Sequence, residues 1–178
     1  MSSQLAFNIR EFGPQDLERV QGLFASGLIE FAGENESGMT RYVDRALQDD
    51  MADIPYHYQT HPGGNFWVVE YQNSLVGHVG IQPSDKENEA ELRRMSVSSS
   101  VRRRGVGRRL LETTEDFCRS RGYSRITLST VEFLQPALAM YHNHGYMLVK
   151  VDPYRVPPDG QINVHHLVKE LYPITESV

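Results

Sequence analysis

Apolar positions recur along this chain with two periods, and the switches between them mark out the elements. Ala6 to Phe12 alternates, with Phe7, Ile9 and Glu11 on one face, and predicts a first strand. Pro14 stands where a helix can begin, and Leu17, Val20, Phe24 and Leu28 follow at helical spacing. A second helix is predicted over Met39 to Met51, with Tyr42, Ala46 and Leu47 turned inward. Ile54 to Asn65, with two prolines and Gly63-Gly64, reads as a loop. Phe66–Tyr71 and Leu75–Ile81 form a hairpin turning through Gln72-Asn73-Ser74.

Past the acidic run Asp85–Glu89, the pattern gives a strand over Glu91–Val97 and a helix over Gly105–Arg121. Leu110, Leu111, Thr114, Phe117 and Cys118 share one face of that helix, and Gly122 is a natural stop. A strand over Arg125–Val131 and a short helix over Pro136–Asn143 come next. Strands at Tyr146–Asp152 and Asn163–Leu171 flank a loop with Pro157, Pro158 and Asp159-Gly160. The order is βααβββαβαββ, a mixed α/β chain of one domain over residues 1–178.

The strongest chemical signal is MSVSSSVRRRGVGRRLL, a strand, a basic glycine loop and a helix start. Glycine lets backbone approach a ligand, and N–H groups at a helix N-terminus attract anions. Arg102, Arg103, Arg104 and Arg108 add charge, which suits a pyrophosphate. A nucleotide P-loop requires Lys-Ser or Lys-Thr after its last glycine, but Arg108-Arg109 follows here. A dinucleotide fold requires a third glycine and an acid closing the next strand, which instead ends Leu128-Ser129-Thr130.

Charge and composition narrow the classes. With 178 residues the chain is long enough for a sizeable core. The net charge of −5 argues against general nucleic-acid binding, and the arginine-rich stretch on an acidic chain points to a small anionic ligand. There is no long apolar run to cross a bilayer, and MSSQLAFNIREF lacks the apolar core of a secretory signal. Cys118 is the only cysteine, so neither an internal disulfide nor a cysteine-rich metal site is expected, and a cytoplasmic location is. Cys118 lies on an apolar helix face and reads as packing rather than as a nucleophile. The seven histidines show no metal-ligand spacing; His78, on a central strand, is the one best placed for catalysis.

The glycine loop resembles the signature of the GNAT superfamily of N-acetyltransferases, Gln or Arg, two residues, Gly, one residue, Gly or Ala, here Arg102-x-x-Gly105-x-Gly107. A second signature agrees: Ala137, three residues, Tyr141, three residues, Gly145-Tyr146. LRRMSVSS and LSTVEFLQPALAMYHNHGY are most similar to the camello-like branch, whose members often carry a hydrophobic membrane segment. The resemblance implies a mostly antiparallel central sheet of about seven strands flanked by about four helices, and acetyl-CoA as co-substrate.

The resemblance also implies roles. Backbone amides of Arg103, Gly105, Gly107 and Arg108 would hold the pyrophosphate, with Val106 between them and Arg102 and Arg104 nearby. Met95 and Val97 would meet the pantetheine arm through their main chain, with the Met95 N–H polarising the thioester carbonyl. Gln135 is a substitute for a cofactor-contacting Asn of some members, whose place Leu134 takes. Tyr141 would protonate the departing thiolate. Glu91 ranks first as general base: strand alternation puts it on the face of Met95 and Val97, and its replacement by Gln should slow turnover by about 10²–10⁴. Glu89, Glu132 and His78 rank below it.

The expected activity is acetyl transfer to a primary amine, small molecule or peptide, by direct attack in a ternary complex. The alternative is a non-catalytic acyl-CoA-binding domain. Glu30, Phe31, Glu34, Tyr154 and Arg155 are the acceptor candidates, the acids suiting a cationic amine. Nucleic acid and membrane are not expected partners, and a homodimer stays open.

Overall fold

The structure, a computed structural model, describes residues 6–156 and 160–172. Among them seven strands form one sheet in the order β1-β2-β3-β4-β5-β7-β6, with β1 Asn8–Glu11, β2 Asn65–Tyr71, β3 Ser74–Pro83, β4 Glu89–Val97, β5 Arg125–Val131, β6 Met147–Val156 and β7 Gly160–Glu170. Only β4 and β5 pair in parallel; the other neighbours are antiparallel. The helices are α1 Leu17–Ile29, α2 Glu36–Gln48, α3 Val106–Ser120 and α4 Gln135–Asn143.

The sheet separates two cores. On one side α3 and α4 bring Val106, Leu110, Leu111, Cys118, Leu138 and Tyr141 against Val79, Ile81, Leu92 and Leu128. On the other, Val20 and Phe24 of α1 and Val43 and Ala46 of α2 pack on Phe66 and Val68. β2 is covered on both faces, which is why its apolar run Phe66-Trp67-Val68-Val69 does not alternate with polar residues. Fully burying each such side chain contributes about 1.5–3 kcal/mol, so this double-sided core carries most of the driving force.

Three expectations shift. α2 starts at Glu36 rather than Met39, so Met39, Val43 and Ala46 form its buried stripe and Tyr42 is 45% exposed on the flank. The stretch 54–65 is not plain loop: Pro55–Gln59 winds a π-helical turn that buries Tyr58 completely. β6 runs on to Val156 and β7 begins at Gly160, narrowing the foreseen loop; Pro157, Pro158 and Asp159 lie outside the described residues. Gln72 and Asn73 both take positive φ, +48° and +62°, the two-residue turn that matches strand twist. Cys118 is fully buried, and burial pushes its thiol up to about 12, as a packing residue should be.

Candidate active site

The site opens where a ladder stops. β4 and β5 pair from Glu89↔Arg125 to Glu91↔Thr127 and no further. β5 continues against β7 to Val131, and β4 continues against β3 to Val97, so beyond Glu91 the two strands splay. β4 is also bulged. Arg93 pairs with Gly80 and Ser96 with His78, so Arg94 and Met95 together face Val79 alone. Arg94 takes φ +52°, a left-handed conformation uncommon without glycine.

This bulge corrects the expected placement of Glu91. Partners in a ladder point to the same face, so Glu91 and Arg93 share the face of Gln82, Gly80 and His78, toward α1 and α2. Met95 and Val97, one residue out of phase, pack with the α3 core instead. Glu91 therefore does not share their face. Its carboxylate stands 3.9 Å from Arg93 and lines neither cleft of the splay.

Two clefts meet at this opening, and Leu28, Met95, Leu134, Ala137 and Tyr141 line both. The larger, about 1110 Å³, runs from these residues to the glycine loop. Val97, Arg102, Arg103, Gly105, Val106, Gly107 and Arg108 line it. Gly105 has φ +82° and Arg103 φ +63°; the two left-handed residues wind the chain into the first turn of α3, aligning N–H groups for an anion. The far wall, with Pro136, Ala137 and Met140, is apolar. Such a cleft fits a long ligand with an anionic end and an apolar arm.

Individual residues divide. Val106 is buried and anchors the loop in the core. Gly107 is also closely packed: a Cβ there would meet Sδ of Met140 on α4, whose side chain would have to shift. Arg102 does not offer its side chain to a phosphate. It holds Glu30 through a bidentate pair at 2.9 and 2.7 Å, donates to Val97 O and lies 4.8 Å from the Phe31 ring centroid, tying the loop to the end of α1. Arg102 in turn lowers the Glu30 carboxyl below its usual range, so Glu30 is committed to the loop rather than to an acceptor. Arg108 carries Glu112 at 2.8 Å. Arg104 is exposed and lines neither cleft. Gln135 lines neither cleft: exposed at the start of α4, it donates to the carbonyl of Glu132 at 2.5 Å.

Tyr141 sits at the junction. It is 5% exposed, packs edge-on to Tyr146 at 5.7 Å, and burial pushes its phenol above the usual tyrosine value. It is therefore a protonated donor at any physiological pH. His78 is fully buried, its ring lowered to about 4 by desolvation, and its Nδ1–H donates to Arg94 O at 2.6 Å. A neutral ring sealed from both clefts is no base, so burial removes the histidine ranked best. Glu89 is buried beside Arg125 and accepts from Ser84, and Glu132 holds Asn163, so neither faces the junction.

The smaller cleft, about 730 Å³, lies over β4 between α2 and the last hairpin. Tyr154 and Arg155 line it; Glu34 does not, and Phe31 lines the loop cleft instead. Its charge is the reverse of the expected one. Arg41, Arg45, Arg93 and Arg155 line it with Asp49; Arg94 lines it too, its charge matched by the sealed carboxylate of Asp50.

The model of the Acetyltransferase (GNAT) family matches residues 32–146, which hold the glycine loop and all of the clefts' shared wall but Leu28. The chain belongs to the GNAT acetyltransferase family. A protein named "Probable N-acetyltransferase camello" from Xenopus tropicalis is 36% identical over 111 residues, 62% of this chain and 51% of that protein. An N-acetylaspartate synthetase from Danio rerio is 36% identical over 117 residues, 65% of this chain and 42% of that protein. This chain spans about half the length of the curated relatives it matches. In three dimensions it is similar to the PaiA N-acetyltransferase of Thermoplasma acidophilum, solved with coenzyme A, at TM-score 0.75 and 15% identity over 90% of this chain and 98% of that one. No helix among the described residues is long and apolar enough to cross a membrane.

Within this GNAT fold the sequence pointed to Tyr154 and Arg155 of the smaller cleft but not to Arg45 and Asp49 at the end of α2. Arg45, Asp49 and Arg155 line the smaller cleft from elements far apart in the chain, and no motif joins them. One signal was present: the doublet Arg93-Arg94 interrupts an otherwise alternating strand, as a bulge does.

Proposed function

We propose that the chain is an acetyl-CoA-dependent N-acetyltransferase whose acceptor is a small primary amine that also bears a carboxylate. The observation that carries the reading is the shared wall: one cleft ending in the basic glycine loop and one lined by arginines meet at Met95, Ala137 and Tyr141. The coenzyme A in the PaiA structure and the carboxylated product in the name of the N-acetylaspartate synthetases support it.

When bound, acetyl-CoA supplies an activated acetyl thioester. The residues of this chain do the rest. The loop at Arg103–Arg108 takes the phosphates. The β4 edge at Met95 and Val97 takes the amide-bearing arm as a strand would, and the Met95 N–H stabilises charge developing on the carbonyl oxygen. Tyr141 gives its proton to the departing sulfur; because a thiol's pKa is about 8.5, the acid accelerates the step without being indispensable. Arg45 and Arg155 face the acceptor's carboxylate, and Asp49 is the lining acid that can meet its ammonium. Glu91 lines neither cleft, so a proton from the amine would reach it only through water.

The test is a panel of matched amines scored for CoA release: free amino acids, their amides and their decarboxylated analogues. The reading expects carboxylated members to win, and Arg155→Ala to raise their KM by about tenfold or more while leaving that of the decarboxylated analogues unchanged. Preference for the decarboxylated amines would overturn the acceptor class; no CoA release with any amine, from a protein that binds acetyl-CoA, would favour a binding domain without catalysis.

A further inference from the structure

The bulge in β4 is held by its own side chain. Arg94 turns toward α1 and α2 and lays its guanidinium on Asp50, Nε to Oδ2 at 2.8 Å and an NH2 to Oδ1 at 2.6 Å, while its other nitrogen donates to the Tyr42 hydroxyl at 2.7 Å. The same group lies 5.2 Å from the Phe24 ring centroid and 5.6 Å from that of Tyr42. Both partners of the pair are sealed, 6% and 1% exposed. Asp50 also accepts a short hydrogen bond from Tyr58. On the backbone side, the Arg94 carbonyl accepts from His78 Nδ1–H at 2.6 Å. That bond requires the Nδ1–H tautomer of the neutral ring and leaves buried Nε2 without a partner among the described residues.

Side chain and carbonyl of one residue are thus both clamped, by Tyr42 of α2, by Asp50 in the turn after it, which Tyr58 in turn holds, and by His78 of β3. A left-handed non-glycine residue persists only where its surroundings over-determine it, and here they do. The next residue is Met95, whose edge faces the splay at the junction of the two clefts. An alternative conformer of Arg94 would move that edge.

We propose that Arg94 is a positioning residue for acetyl transfer: its pair with Asp50 fixes the β4 bulge that presents the Met95 edge to the thioester, and fastens the α1–α2 wall of the acceptor cleft to that edge. The proposal rests on the acetyltransferase reading above. It differs from a merely stabilising ion pair in one consequence. If the pair only stabilises, replacing both charges by uncharged groups of like size leaves a folded enzyme that works; such replacements of buried pairs are often neutral for stability.

The chain is compared with its double variant Arg94→Met/Asp50→Asn by calorimetry with acetyl-CoA, by steady-state kinetics, and by infrared difference spectroscopy of bound acetyl-CoA labelled at its carbonyl carbon. Wild type is expected to bind and to lower the carbonyl stretching frequency. The folded double variant is expected to bind within about threefold, to lose the frequency shift, and to turn over about tenfold to a hundredfold more slowly with acetyl-CoA KM unchanged. Arg94→Lys, which keeps the charge and loses the fork, is the second variant should the double one not fold, with the same direction expected. A variant that is folded and retains both shift and turnover overturns the proposal alone. A wild-type protein that binds acetyl-CoA without any carbonyl shift overturns the Met95 role and this proposal with it, and one that does not bind acetyl-CoA overturns the acetyltransferase reading itself.

Discussion

At the scale of single residues, the site depends on two positions whose environments differ from what their letters suggest. Burial holds the Tyr141 phenol above its ordinary value of 10.0, so it remains a donor throughout the range in which the protein is folded. Turnover should therefore show no descending limb from this group below about pH 10. Tyr141→Phe keeps the ring and its packing on Tyr146; it should lower turnover by about tenfold to a hundredfold with acetyl-CoA affinity and melting temperature near wild type. A Phe variant with wild-type turnover, chemistry being rate-limiting, would leave Tyr141 as packing only. Gly107 makes a different claim. Gly107→Ala should lower both stability and acetyl-CoA affinity, because its methyl meets Met140, and Met140→Ala in the same chain should recover much of the stability. No recovery in thermal melts of the pair would show that the glycine serves only the ligand. Tyr141 and Gly107 were legible from motif spacing. The Met140 contact was not, since it joins α3 to α4 across the core.

At the scale of elements, β4 is where strand reasoning fails. Alternation places Glu91 with Met95 and Val97, and one inserted residue at Arg94 reverses that assignment for everything upstream of it. Glu91→Gln should accordingly slow turnover by less than about tenfold, far below the effect of deleting a base in direct contact. A loss of a hundredfold at neutral pH would restore Glu91 as the base. The clamp on the bulge also shapes the acid limit of stability. His78 is lowered to about 4 in the folded chain against an ordinary 6.5. The unfolded chain takes up a proton below about pH 6.5 while the folded one resists it to about 4. Stability is thus complete above the higher value, falls between the two, and levels off below the lower one, a loss of about 3 kcal/mol from this group. Urea titrations at pH 7 and 4.5 should show His78→Phe losing less on acidification than wild type. Equal losses in both would take His78 out of the acid sensitivity in this range; the lowered carboxylates of Asp16 and Asp50 act in the same direction only as pH falls toward and below their ordinary 3.8.

At the scale of the whole molecule, the sheet is two halves joined by three residue pairs between β4 and β5. A ligand filling the splay replaces the missing pairing, so hydrogen exchange should slow on adding acetyl-CoA in residues 92–97, 103–108 and 128–131, and stay unchanged in β1 and β2. Protection spread evenly over the sheet would argue against binding in the opening. The sequence by itself determined the element order, the glycine loop and Tyr141, because each is written in residues close together in the chain, where period, turn chemistry and motif spacing act. It did not determine which face Glu91 takes, that His78 is sealed and neutral, or that five arginines from α2, β4 and β6 meet around one cleft. Those depend on a one-residue bulge and on the sheet bringing distant strands together, and both are settled only when α1 and α2 close over β4 and lock Arg94 onto Asp50.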